Sequence, residues 1–142
     1  MNNRRDFIKK TGILSLGACV FSSAIFMESC KSAQVTSIRF AENKISFPRA
    51  DLPVEKKPFV VVNHEKLAGP VFIYRNEAGK LFASLLICPH KNCEVTPAGK
   101  VLVCPCHGSE FSLEGKLQKA PAEKDLFHYQ VEENAEEIFL IL

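Results

Sequence analysis

Two short boxes constrain this chain more than anything else in it: Cys88-Pro89-His90-Lys91-Asn92-Cys93 and Cys104-Pro105-Cys106-His107-Gly108-Ser109. Each follows an apolar run ending in Ile87 or Val103, and each offers two cysteines and one histidine. Four of the six cysteines and two of the four histidines therefore fall within twenty residues. Cysteines and histidines that merely pack a core scatter through a sequence, whereas metal ligands come in spaced sets. Whatever fold the chain adopts has to bring two loops face to face, with strands delivering donors from both sides.

The rest of the chain past Cys30 reads as strands. Phe59 to Val62, Val71 to Tyr74, Leu81 to Ile87, Val101 to Val103 and Glu137 to Leu142 are short apolar runs separated by turn residues. Asn76-Glu77-Ala78-Gly79 and Pro97-Ala98-Gly99-Lys100 read as hairpin connections. No helical period persists for ten residues, so an all-β domain is expected, a small antiparallel sandwich or barrel. About 110 residues suffice to bury a core of their own. Residues 31–45, polar and small at their start, read as a tether, and 46–142 as the domain. With 46% hydrophobic and 24% charged residues the chain is neither disordered nor a multi-span membrane protein. The formal charge of +2 resides in residues 1–30, with four basic and two acidic side chains, which leaves 14 of each beyond. Without a basic stripe, a nucleic-acid partner is not expected.

Residues 1–30 read as an address. Arg4, Arg5, Lys9 and Lys10 precede residues 11–27, which carry no charge and are apolar all round. Arg4-Arg5 with Phe7 resembles a twin-arginine signal, which implies the twin-arginine export machinery as a partner. The 17-residue apolar stretch is near the lower limit for a spanning helix, so a retained membrane anchor is one expectation. The other is a lipoprotein junction at Ser29-Cys30, with Cys30 acylated; the similar Leu16-Gly17-Ala18-Cys19 comes too early in the run. Both place the protein on the periplasmic side of a bacterial membrane, exported and tethered.

The two boxes resemble the cluster-binding loops of Rieske iron–sulfur proteins, in the branch that carries an extra disulfide, and the resemblance extends over residues 46–142. It implies a cluster-binding subdomain of two loops and a [2Fe-2S] cofactor, one iron held by Cys88 and Cys104 and the other by His90 and His107. It further implies a disulfide between Cys93 and Cys106. Two neutral imidazoles in place of two thiolates leave the cluster less negative, which raises its potential and lets electron and proton transfer couple at the histidines. A structural zinc site using the same side chains is the competing reading, although six donors are two too many for one tetrahedral ion.

Neighbouring residues carry further expectations from the resemblance. Ser109 lies where the family's serine donates to a bridging sulfide. Phe111 takes the place of a tyrosine that donates to a ligand sulfur in high-potential members, so an intermediate potential is expected. Lys91 replaces an apolar residue that packs against a quinone pocket in cytochrome bc complexes, and suits a wet docking face. Asn92 tolerates the left-handed conformation that glycine commonly supplies there. Gly115 and Ala120-Pro121-Ala122 resemble the proline segment covering the third side of the cluster. His64 and His128 read as structural or surface residues, and no catalytic residue is assigned.

The expected function is one-electron transfer as a membrane-tethered redox subunit or carrier of the cell envelope. Its partner is a cytochrome or another oxidoreductase subunit. The alternatives are the quinol-oxidising Rieske subunit of a cytochrome bc-type complex, argued against by Lys91, Phe111 and the 13 residues between His90 and Cys104, and a zinc-stabilised binding module without redox chemistry. The ferredoxin of a ring-hydroxylating oxygenase is argued against by the export signal and by Cys93 and Cys106.

Overall fold

The structure, a computed structural model, describes residues 37–52 and 59–142. The export signal, the apolar stretch and Cys30 lie outside these residues. In chain order the strands are β1 (Arg39–Ala41), β2 (Lys44–Pro48), β3 (Phe59–Val62), β4 (Val71–Arg75), β5 (Leu81–Leu85), β6 (Thr96–Ala98), β7 (Val101–Val103), β8 (Glu110–Ser112), β9 (Leu117–Lys119), β10 (His128–Glu133) and β11 (Glu137–Ile141). One 3-10 turn, Arg49–Asp51, is the only helical element among the described residues. The all-β class is as the sequence predicts.

Seven strands pair antiparallel in the order β1-β2-β11-β10-β5-β4-β3, and the remaining four in the order β6-β7-β8-β9. Strict alternation in β2, β3 and β11 puts Ile45, Phe47, Val60, Val62, Ile138 and Leu140 on one buried face. β2 and β3 stand near opposite ends of the strand order, yet their side chains share one core with Val71, Ile73, Ala83 and Leu85. The larger sheet is therefore curled over its own apolar face. β4 breaks the alternation because it is buried on both sides. Val71 and Ile73 face this first core, while Phe72 faces a second, with Leu86, Val95, Leu102, Phe111 and Leu126. That second core lies beneath the four-stranded sheet and contains Cys88 and Cys104.

The predicted turns close as expected. Gly79, at φ 80°, ends the β4–β5 hairpin with its N–H on Asn76 O at 2.8 Å, and Gly99, at φ 67°, turns β6 into β7. Three features differ from the sequence reading. The sheet begins at Arg39, inside the segment read as a tether over 31–45. β1 is three residues long and wholly exposed, and its two-residue turn is made by Glu42 and Asn43 at φ 50° and 61°, so no apolar alternation announces it. The run from Leu81 to Ile87 is not one strand: its ladder stops at Leu85, and Leu86 N–H turns to Pro70 O at 2.8 Å as the chain enters the second core. The subdomain carrying the boxes is more than two loops, since β8 and β9 complete a sheet around them.

One ion pair fastens β4 to β10. The Arg75 guanidinium, 6% exposed, donates Nη1 to Glu133 Oε1 at 2.8 Å and Nη2 to Oε2 at 2.7 Å, with Nη1 also on Gly79 O at 3.0 Å. These hydrogen bonds, more than the charge alone, hold the Glu133 carboxyl below its ordinary value. A carboxylate whose pKa is lower in the folded than in the unfolded chain stabilises the fold above its unfolded pKa, and that contribution disappears as pH falls through the folded value. Glu133→Gln is therefore expected to cost about 1 kcal/mol at neutral pH, the partial exposure of Glu133 keeping the loss small. Thermal melts of both proteins should begin to converge below about pH 4 and meet only once the pH has fallen through the lowered folded value; a gap that persists in strong acid would show that the cost is not electrostatic.

Candidate metal centre

The two boxes fold into matched loops. Cys88 N–H donates to Cys93 O at 2.8 Å and Asn92 N–H to Cys88 O at 2.9 Å; Cys104 N–H donates to Ser109 O at 2.8 Å and Gly108 N–H to Cys104 O at 3.0 Å. In each, the residue four beyond the leading cysteine has positive φ, Asn92 at 57° and Gly108 at 78°. Asparagine and glycine are the residues that enter this conformation most cheaply, which is why Asn92 serves in the first loop as Gly108 does in the second.

These closures place the donors at two depths. Cys88 and Cys104, both free thiols, are 0% and 1% exposed at the base of the loops. His90 and His107 stand above them, their ring centroids 4.8 Å apart and perpendicular, with His90 half-buried and His107 exposed. Cys93 and Cys106 are joined by a disulfide, Cα to Cα 6.5 Å, which ties the end of the first loop to the middle of the second. The sulfurs of Cys93, Cys104 and Cys106 lie within 4.8 Å of one another. Two of that trio are consumed in the disulfide, so it is a packing contact and not a ligand set.

A third segment closes over the loops. Ser109 is fully buried, and its Oγ accepts the Ala122 N–H at 2.9 Å, leaving its own proton free to be donated. Pro121, preceded by a cis peptide bond, lines a cleft of about 370 Å³ with Pro89, His90, Glu123 and Lys124. Phe111 is fully buried in the same core as Cys88 and Cys104, and Lys91 is exposed. The sequence reading missed Asp125, whose Oδ1 takes the Leu117 N–H and Oδ2 the Lys116 ammonium, both at 2.8 Å. Those bonds, the lysine's first, hold its carboxyl below the usual range. Nothing in the sequence distinguishes this aspartate from a solvated one. Gly115, at φ 80°, accepts the Leu126 N–H and lies so close to Ser84 that a Cβ would meet Ser84 Oγ at 2.5 Å. His128, beside Ser84 at 3.4 Å, is pushed down by burial and then by Lys116.

His90 Nδ1 supplies a test of whether a metal belongs here. It is buried and has no hydrogen-bond partner, a costly state for an imidazole nitrogen unless it coordinates a metal. With two buried free thiols and a second imidazole at hand, the donor set is soft sulfur on one side and nitrogen on the other. That combination suits iron–sulfur or zinc and excludes the hard cations. The fold and this site define a small β protein that brings two buried thiols and two imidazoles together in the manner of a metal centre.

Comparison with known proteins resolves the class. The Rieske [2Fe-2S] domain family matches residues 42–130, and the chain belongs to that family. It is 28% identical over 131 residues to the cytochrome b6-f complex iron-sulfur subunit of Chlorobaculum tepidum, covering 90% of this chain and 69% of that one. It is 33% identical over 72 residues to the corresponding subunit of Prochlorococcus marinus AS9601, spanning 40% of that protein. The crystal structure of PetC3, the plasma membrane Rieske protein of Synechocystis PCC 6803, superposes with a TM-score of 0.57 at 34% identity, over 67% of this chain and 95% of that one. As a Rieske protein the chain carries a [2Fe-2S] cluster and transfers electrons through it, which sets aside the zinc module.

Purified full-length protein is expected to be coloured and to contain about two irons per chain. Cys88→Ser and Cys104→Ser should each abolish the iron and the visible absorbance, and Lys91→Ala should leave both intact. Zinc in place of iron, or full iron occupancy in either serine variant, would contradict this assignment.

Proposed function

We propose that Cys88 and Cys104 hold one iron and His90 and His107 the other, in a protein that relays single electrons as a membrane-tethered subunit or carrier of the bacterial cell envelope. The observation that carries this reading is the difference in depth between the donors. Both thiols are sealed in the second core, while His107 reaches the surface beside His90. When bound, the cluster supplies one-electron redox chemistry at a potential above that of all-cysteine ferredoxins. The chain's own residues do the rest. The loops keep water from the thiols, Ser109 has a proton to donate toward a sulfide, and the histidine edge is where a partner gains access.

Around that edge Pro89, Lys91, Pro105 and His107 are exposed, with Glu123 and Lys124 beside the cleft. A mixed polar rim of this kind suits transient docking of a cytochrome or an oxidoreductase subunit. The resemblance of residues 1–30 to an export signal supports passage through the twin-arginine machinery and a position on the periplasmic side, tethered by Cys30 or by the apolar segment.

The names of the relatives favour a second reading, the quinol-oxidising subunit of a cytochrome bc-type complex. Lys91 and Phe111 weigh against it, the first by its charge at the docking face and the second by lacking a hydroxyl. Mild detergent extraction followed by identification of co-purifying proteins separates the two. A stoichiometric cytochrome b would establish the second reading, and a different redox protein, or none, the first.

Phe111 tests the tuning directly. Phe111→Tyr adds a donor for a ligand sulfur and should stabilise the reduced state, raising the midpoint potential by about 40 mV for a hydrogen bond of about 1 kcal/mol and a one-electron couple. An unchanged potential measured by voltammetry on folded, iron-replete variant would refute the account.

A further inference from the structure

A free thiol packed against a disulfide is a chemical arrangement with its own reactivity. Cys104 Sγ lies within 4.8 Å of both Cys93 Sγ and Cys106 Sγ, and Cys104 is 1% exposed, so these two sulfurs, and not external thiols, are the partners within its reach. Thiol–disulfide exchange requires nothing else: a thiolate attacks one sulfur and expels the other. We propose that the three sulfurs form an exchange relay, in which Cys104 of the cluster-free chain captures Cys93 and releases Cys106.

The step balances without oxidant or reductant. The Cys104 thiolate forms a bond to Cys93 Sγ, the Cys93–Cys106 bond breaks, and the electron pair leaves on Cys106, so one disulfide and one thiolate stand on each side. Two features favour this direction over attack on Cys106. Cys106 is exposed and Cys93 half-buried, so the charge expelled on Cys106 is the better solvated. A Cys93–Cys104 bond also still joins the first loop to the second, whereas a Cys104–Cys106 bond, spanning Pro105 alone, would lie within one loop and forfeit the constraint that the cross-link puts on the unfolded chain. The product withdraws Cys104 from the metal centre and presents a reactive thiol at the surface. This consequence rests on the assignment of Cys104 as an iron ligand: a sulfur committed to iron is no longer a free nucleophile, so the loaded protein is protected.

Full-length protein is purified with its cluster, and half is stripped with a chelator under anaerobic conditions. Both halves are alkylated with iodoacetamide, then unfolded and digested without reduction for peptide mapping by mass spectrometry. The relay predicts a Cys93–Cys104 cross-link with Cys106 alkylated in the stripped chain, at least tenfold more abundant than in the loaded one, which should hold Cys93–Cys106. Cys104→Ser, which prevents loading, should keep Cys93–Cys106 throughout. Where that variant does not fold, the rate at which a surface-directed thiol reagent labels Cys106 in stripped wild-type protein reports the same event. A stripped chain that retains only Cys93–Cys106, with Cys106 unlabelled, would overturn the relay. Equal exchange in both halves would overturn the protection, and with it Cys104 as a ligand, while leaving the exchange itself standing.

Discussion

Two cysteines are reduced and dry while two others are oxidised to a disulfide, with the sulfur of Cys104 within 4.8 Å of both disulfide sulfurs, and the whole second subdomain is arranged around that contrast. Backbone hydrogen bonds maintain it first. Each loop is closed by two of them at its leading cysteine, so the positions of Cys88 and Cys104 are fixed by the local chain and do not depend on the disulfide. At about 1 kcal/mol net for each bond, those closures are comparable in weight to the disulfide, which over a separation of 13 residues contributes about 3 kcal/mol in a chain-entropy account. The covalent link joins two loops that are already shaped.

The shaped loops are held in place by a wall that serves both halves of the molecule. β4 packs Val71 and Ile73 into the curled sheet and Phe72 into the core under the loops. A strand buried on both faces cannot shift register without exposing one set of side chains, so the two cores fix each other's alignment. Leu86 extends the arrangement. It leaves β5, joins the core beneath the loops through its side chain and pairs with Val95 N–H at 2.9 Å through its carbonyl. Gly115 completes the junction, because the approach of its backbone to Ser84 leaves no room for a Cβ and its positive φ would strain any other residue.

Much of this could be read directly from the chain. The two loops of the site were legible because their chemistry is rare and local: spaced Cys and His, with Pro and Gly between them. Strands that are unbroken apolar runs bounded by turn residues, such as β3 and β11, were legible for the same reason. What was not legible depends on distant partners. β1 and β2 precede residue 49 with a turn made by Glu42 and Asn43, and only pairing with β11 shows that they belong to the sheet. β8 and β9 are three residues each and owe their existence to β7 and to each other. Asp125 looks like any surface acid until the fold places it beneath Leu117 N–H and Lys116. The pairing of Cys93 with Cys106 followed from family resemblance, since spacing alone permits other connections.

The residues around the centre differ in how cleanly each can be related to its tuning. Ser109 cannot be altered in one respect alone: its oxygen anchors the third segment through Ala122 N–H, and its proton is the part left over for the role proposed at the cluster. Removing the hydroxyl alters the cover and the electrostatics together, so a changed potential there has two causes. Phe111 has no polar role to lose. It is fully buried beside both thiols, and its contribution in the native protein is volume and dryness. A hydroxyl added to that ring changes the hydrogen bonding while leaving most of the packing in place. Phe111 is therefore the position where electronic tuning can be distinguished from architecture, and the absence of a donor there is a property of this chain's own sequence.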